Sequence, residues 1–276
     1  MIKKSNGLRE PFSKEKIERT AERAGARPEV ALEIAEQVAR RVKPGMQTRQ
    51  IFKMILKLLA EHSQPIAVRY NLQQALFKLG PTGFEFEKYI AELLKIYKYK
   101  TILPENLTGA CVTHEVDVLA TKDRRTAMIE CKFRNSQNIY VGIKDAMATW
   151  SRFLDLVEGS ELGNCPHMDE CWLITNTRFS PDALKWAHCK GMVMISWNHP
   201  EERSLAHMID AHAVYPVTVL PDVRTQDFAS LARGQVMLLK QLVNSDPKEL
   251  ARKTGLPVEK IRHFTEEARQ IINLKS

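Results

Sequence analysis

The chain has 276 residues, 44% apolar and 27% charged, and its 41 Lys and Arg against 33 Asp and Glu leave a formal net charge of +8. That length accommodates two or three compact domains, and the basic excess favours a polyanionic partner. No apolar run reaches the roughly 18 residues of a membrane span. The lysines of Met1-Ile2-Lys3-Lys4-Ser5-Asn6-Gly7 are followed by no apolar core of a secretory signal, and five cysteines without framework spacing fit a reducing cytosol. The expectations are therefore a cytoplasmic location and no membrane partner.

In chain order, Ile2 to Lys4 and Leu8 to Phe12 flank Ser5-Asn6-Gly7, and Asn-Gly predicts a tight hairpin. Helices follow. Ile34, Ala35, Val38 and Val42 recur at helical spacing before Lys43-Pro44-Gly45 interrupts it. Thr48 is the predicted N-cap of a helix whose apolar stripe is Ile51, Ile55, Leu58 and Leu59; another helix is expected from Ile66 to Leu79. Gly80-Pro81-Thr82-Gly83 marks a linker, which puts the first domain at 1–82.

This hairpin and helical bundle resembles the ATP-cone, a regulatory nucleotide-binding domain. The resemblance rests on the stretch from Ile2 to Ile17, with Thr48-Arg49-Gln50-Ile51 and Ala67-Val68-Arg69-Tyr70. Asn6-Gly7 replaces the family's usual Asp-Gly. The resemblance implies ATP or dATP as effector, with Lys4, Lys16 and Thr48 at the phosphates and Glu10 and Ser13 near the nucleoside. No Walker-type loop is present, so the nucleotide shifts a conformational balance and is not fuel. The bland alternative makes Lys4 and Lys16 solvated surface charges.

The second segment begins with a helix whose stripe is Phe86, Tyr89, Ile90, Leu93, Leu94 and Tyr97, with Glu87 at its edge. Tyr99 to Leu103 reads as a strand. Two further strands, His114 to Ala120 and Ile129 to Phe133, surround the polar turn Thr121-Lys122-Asp123-Arg124-Arg125. Centring the turn on Asp123 and Arg124 sets Asp117 opposite Glu130, and alternation puts Glu130 and Lys132 on one face against an apolar other face. Two carboxylates held together repel unless a divalent cation keeps both charged, and a neighbouring lysine can orient a metal-bound water. These are parts for metal-assisted phosphodiester hydrolysis. A helix from Val141 to Leu156, a strand from Cys171 to Thr175, a helix from Ser180 to Lys190 and a strand from Met192 to Trp197 complete an α/β order. That order predicts a mixed sheet covered by helices on both faces.

Helix, strand, hairpin, helix, strand, helix, strand is similar to the restriction-endonuclease fold, and the residues resemble its Mrr-like branch. Phe86-Glu87, Glu115-Val116-Asp117-Val118 and Glu130-Cys131-Lys132 map onto the PD-(D/E)xK nuclease pattern, with Val116 where a proline often stands. The resemblance implies Asp117, Glu130 and Lys132 as catalytic residues. Asp117, Glu130 and the Cys131 carbonyl would hold Mg²⁺ (or Mn²⁺), with Glu87 adding a ligand through water. Thr175-Asn176-Thr177-Arg178-Phe179-Ser180 resembles a late segment of the branch. The rival is a surface hairpin with a cross-strand Glu–Lys pair. Cys165-Pro166-His167, Cys171 and His188-Cys189 supply zinc-type ligands, but at no familiar knuckle spacing.

Residues 83–200 thus form the expected nuclease domain, and 201–276 a helical C-terminal one. A short helix from Leu205 to His212 precedes the proline-punctuated connection Tyr215 to Pro221. Asp246-Pro247-Lys248-Glu249 is a helix start, Gly255 ends that helix, and Pro257 begins another with Val258, Ile261, Phe264 and Ala268 inward. The pair resembles a helix-hairpin-helix module, which implies that Lys253, Gly255, Lys260 and Arg262 touch nucleic-acid backbone. Packing on a partner or on the nuclease domain is the alternative. The expected whole is an ATP- or dATP-regulated, Mg²⁺-dependent DNA endonuclease forming a homo-oligomer. The rivals are an RNA nuclease and a catalytically silent sensor or adaptor.

Overall fold

The computed structural model describes residues 1–3, 8–80, 83–103, 106–136 and 139–272. They form two compact units, 1–72 with 269–272, and 73–268. In the first, β1 (Ile2–Lys3) and β2 (Arg9–Glu10) pair antiparallel with Ile2 opposite Glu10. The Asn6-Gly7 turn lies outside the described residues. Helices α1 (Lys14–Arg23), α2 (Pro28–Arg41), α3 (Thr48–His62) and the start of α4 (Gln64–Phe77) follow. Ile17, Ala21, Ile34, Ala35, Val38, Ile51, Ile55 and Leu59 close the core with Ile2, so the predicted stripes face one another. Thr48 is not the cap. It is the first helical residue, and Gln47 is the N-cap, its N–H donating to Gln50 Oε1 at 3.1 Å.

The second unit continues with α5 (Phe84–Ile96), β3 (Lys100–Ile102), β4 (Leu107–Thr108), β5 (Thr113–His114), β6 (Val118–Lys122) and β7 (Arg125–Lys132). Next come β8 (Tyr140–Val141), α6 (Ile143–Glu161), β9 (Glu170–Thr175), β10 (Arg178–Phe179), α7 (Pro181–Lys190) and β11 (Val193–Ile195). The sheet runs β11-β9-β7-β6-β3; β7, β9 and β11 are parallel, β6 is antiparallel to β7, and β3 is antiparallel to β6. The last strand is shorter than the sequence predicts because the chain turns back at Ser196, which pairs with His199. Helix α7 is bounded as its sequence demands: Ser180 Oγ accepts from Ala183 N–H, Pro181 opens it, and Gly191 at φ 73° closes it.

Asp123 and Arg124 take φ of 50° and 63°, both left-handed as a two-residue hairpin of this hand requires. The register pairs Val118 with Ile129 and Lys122 with Arg125, so Asp117 and Glu130 occupy facing positions one step before β6 begins. The strand faces differ from expectation in one respect. Met128, on the Glu130 face, is packed in a core with Leu119, Leu173, Leu156 and Phe153, so both faces of β7 are apolar at the middle. The charges begin only where β7 emerges beyond that core.

The rest of the unit is α8 (Leu205–Ala211), α9 (Thr225–Arg233), α10 (Leu239–Val243), α11 (Pro247–Thr254) and α12 (Val258–Ile272), whose last residues fall in the first unit. The proline-punctuated 215–221 connection is packed into the core: Tyr215, Val217, Val219 and Leu220 are buried around a 3₁₀ turn at Val217–Val219. Two tyrosines of the α5 region tie down α8 and the residue just before this connection. Tyr89 Oη donates to Val214 O at 2.7 Å, and Tyr97 Oη to Met208 O at 2.9 Å.

Candidate active site

Where β7 leaves the core, an open cleft of about 420 Å³ is lined by Gly83, Glu87, Glu115, Asp117, Glu130, Cys131, Lys132, Phe133, Arg134, Asn135 and Arg152. The three predicted catalytic residues and the predicted metal ligands all meet there. The hairpin register brings Asp117 to Glu130, and the first turn of α5 supplies Glu87. Asp117 Oδ2 accepts from Cys131 N–H at 2.6 Å, which fixes its side chain across the strand pair. Glu130 is 4% exposed, and its carboxylate lies between two cations: Lys132 Nζ donates to Oε1 at 2.5 Å, and the Arg152 guanidinium donates to Oε2.

Burial and the Glu130 charge push the Asp117 carboxyl up to about 6, against the lowering effect of the Cys131 amide. Glu87 rises further, to about 7, through burial and the charges of Asp117, Glu115 and Glu130. Their acid forms are favoured in the fold. In the unfolded chain both groups are ionised from the ordinary carboxylate range upward, so the metal-free protein loses stability as pH rises toward 7. A cation held by these carboxylates would have to displace the protons. If Mn²⁺ binds there, its affinity is expected to climb between pH 5.5 and 7.5, by up to roughly tenfold per pH unit for each proton released. Calorimetric titration at the two pH values checks this; a pH-independent affinity contradicts it.

The segment after β7 is held from β9. Thr175 Oγ1 donates to Lys132 O at 2.7 Å. Asn176, 0% exposed, accepts from Arg134 N–H at 2.9 Å and donates to Arg134 O at 2.8 Å. This clamp gives the Thr175-Asn176 resemblance a physical meaning: it fixes the backbone that carries Lys132 and Arg134 into the cleft. Asn176→Ala leaves both Arg134 main-chain groups without these partners. A loss of about 2–3 kcal/mol in urea unfolding is expected, and a loss below about half a kcal/mol contradicts the clamp.

Among known proteins, an uncharacterized protein of Archaeoglobus fulgidus is 32% identical over 183 residues, 66% of this chain and 99% of that one. A crystal structure described as a protein of unknown function, AF1548, covers 72% of this chain and 98% of its own, with a TM-score of 0.60 and 31% identity. The chain belongs to the AF1548-like family. Family models assign residues 1–73 to the ATP-cone domain, 80–199 to a restriction endonuclease (Mrr catalytic) domain, and 215–272 to the AF1548-like C-terminal domain. The chain is thus an ATP-cone fused to a restriction-endonuclease-like α/β domain and a helical C-terminal region.

In the ATP-cone, three of the five predicted nucleotide contacts gather at the start of α1. Ser13 Oγ caps the helix by accepting from Lys16 N–H at 3.1 Å, and Lys16 Nζ lies 3.5 Å from Glu10 Oε2. Lys3 bridges to Gln47, which brings the start of α3, and so Thr48, beside the hairpin. Lys4 lies outside the described residues.

Toward the C-terminus, the predicted backbone-gripping groups have partners within the chain: Lys260 on another element, Lys253 and Arg262 only along their own exposed helix faces. Lys260 Nζ is 2.5 Å from the buried Asp227 Oδ1, Lys253 pairs with Glu249, and Arg262 pairs with Glu259. The Gly255 and Leu256 amides donate to Ala251 O and Thr254 Oγ1. Asp246 caps α11 as predicted, accepting from the N–H groups of Lys248 and Glu249.

The cysteines form no zinc centre among the described residues: Cys171 is core, and Cys165 Sγ contacts Leu156 O. The cluster of metal-type side chains within mutual reach among those residues is Asp222, His263 and Glu267, where His263 Nε2 lies 2.9 Å from Asp222 Oδ2. His114, left without a role by its sequence, donates from Nε2 to Asp155 Oδ2 at 2.7 Å. Burial opposes the Asp155 charge, but the Cys111 and Val112 amides and His114 hold its carboxyl down at about 2. Asp155 therefore staples the loop before β5 to α6. Arg152 is the cleft residue that sequence patterns miss, because nothing local to α6 announces its partner 22 residues upstream.

Proposed function

We propose that this protein is a nucleotide-controlled, Mg²⁺- or Mn²⁺-dependent endonuclease that hydrolyses phosphodiester bonds in DNA. The observation that carries it is the convergence of Asp117, Glu130 and Lys132 in one open cleft. The donor set fits a hard divalent cation: two carboxylates and a main-chain oxygen, with the Asp117 carboxyl raised by the neighbouring acid. Asp117, Glu130 and the Cys131 carbonyl would hold the ion, with Glu87 reaching it through water. Bound there, it would polarise the phosphoryl group and acidify a water. Lys132 keeps donors beyond its bond to Glu130 with which to orient that water, and Arg134 at the rim, held by Asp145, keeps further N–H donors for the substrate phosphate.

The division of labour follows the chain: residues 1–82 sense ATP or dATP through Lys4, Glu10, Ser13, Lys16 and Thr48, and 83–200 cut. For 201–276, the tie of Lys260 to the buried Asp227 and the engaged Gly255 amide favour packing on the nuclease fold at those two positions, whereas Lys253 and Arg262 pair only with exposed acids of their own helices and stay open to nucleic-acid backbone. Tyr89 and Tyr97 support that packing.

The test is incubation of supercoiled DNA, and in parallel structured RNA, with Mg²⁺ or Mn²⁺ and either ATP or dATP. Nicking of DNA that Lys132→Ala abolishes is expected. DNA intact under every condition overturns the reading in favour of a silent adaptor, and cleavage of RNA alone moves it to an RNA nuclease. An effector alters cutting only by binding two states unequally, so sedimentation is expected to show a change of homo-oligomer with ATP or dATP; superimposable profiles contradict that control.

A further inference from the structure

Both carboxylate oxygens of Glu130 are taken by side chains of this chain, and the two partners are not equivalent. Lys132 sits two residues along the same strand and moves with Glu130. Arg152 comes from α6, its side chain 29% exposed, and reaches Glu130 Oε2 from the cleft wall. Its charge also acts on Asp117. The cleft is lined by four carboxylates (Glu87, Glu115, Asp117, Glu130) against three cations (Lys132, Arg134, Arg152), and Arg134 is itself paired with Asp145, so acidic groups are in formal excess. A divalent cation held by Asp117 and Glu130 offsets that excess and competes with the guanidinium for the same oxygen.

We propose that Arg152 is a positioning residue that stands in for the cation. It holds Glu130 while no metal is bound, then is released to take a non-bridging oxygen of a DNA phosphate. The inference rests on the nuclease reading above and deepens it. Arginine suits the role: the guanidinium keeps its charge in either position and its fork matches carboxylate and phosphate alike. Because one side chain serves both anions, metal binding and phosphate binding become coupled, each strengthening the other by the same factor.

Full-length protein without nucleic acid is titrated with Mn²⁺, followed by spin resonance of free Mn²⁺. Arg152→Gln removes the competitor, so Mn²⁺ is expected to bind at least about fivefold more tightly. Arg152→Lys retains a cation and is expected to bind Mn²⁺ nearly as the parent does, which keeps the test open should the glutamine variant fold poorly. Affinity for a short fluorescent DNA duplex is then measured with and without Ca²⁺. The parent is expected to gain at least about tenfold from Ca²⁺, Arg152→Lys less, and Arg152→Gln little. Unchanged or weaker Mn²⁺ binding in Arg152→Gln, with binding still lost in Asp117→Asn, overturns the role of Arg152 alone. Failure of the parent to bind Mn²⁺, or equal binding by Asp117→Asn, removes the nuclease reading and this inference together.

Discussion

Asp117→Asn is expected to lower metal-dependent DNA cleavage by at least about a thousandfold while making the metal-free protein more stable by about 1–2 kcal/mol at pH 8. The two effects share one cause. The Asp117 carboxyl is pushed up to about 6 by burial and by Glu130, so near pH 8 the fold holds an ionised group against its own preference. Asparagine is nearly isosteric and its Oδ1 can still accept from Cys131 N–H, so the bond at 2.6 Å is retained while the repulsion is lost. The variant surrenders the charge that a cation needs. Urea unfolding of both proteins in chelator, beside a nicking assay in Mg²⁺, checks the pair. A variant that is inactive and also less stable would show that the Cys131 amide needs a full carboxylate, and would remove the argument for strain relieved by metal.

What the sequence makes legible here is what lies close along the chain. The β6–β7 hairpin follows from its turn and its alternation, so the facing of Asp117 and Glu130 can be worked out by counting from Asp123 and Arg124. Helix boundaries at Ser180, Asp246 and Gly255 follow from caps, whose partners lie within a few residues. The unread features depend on distant partners. Arg152 is one basic residue of a long helix until folding sets it against Glu130, and Asn176, marked only by resemblance, has no readable task until β9 lies beside β7. Likewise the 215–221 connection reads as a loop from its prolines. Its burial depends on acceptors and contacts supplied by α5 and the end of α4, among them Ala75 O, which accepts from Thr218 Oγ1 at 2.8 Å. Thr48 misleads for the opposite reason: threonine is a good cap by type, yet Gln47 and Gln50 close that helix start between themselves.

Glu130→Gln is expected to act on stability with the sign opposite to Asp117→Asn, costing about 2–4 kcal/mol in the metal-free protein. Glu130 is the more deeply placed of the two acids, but its charge is matched by Lys132 and Arg152, so neutralising it leaves two cations facing an amide instead of a carboxylate. Both cations are partly exposed and can turn toward water, which keeps the cost below that of a fully enclosed broken pair. Adding Arg152→Gln to Glu130→Gln removes one of the uncompensated charges, so the double variant is expected to regain at least about 1 kcal/mol relative to Glu130→Gln alone. Urea unfolding of the two single variants, the double variant and the parent measures that coupling. Strict additivity would mean that Arg152 and Glu130 do not sense each other, and the picture of an arginine holding a metal ligand in reserve would lose its energetic basis. A positive coupling, alongside the gain in Asp117→Asn, would assign the two acids distinct duties: one strained until a cation arrives, the other kept in place by a cation that the fold already carries.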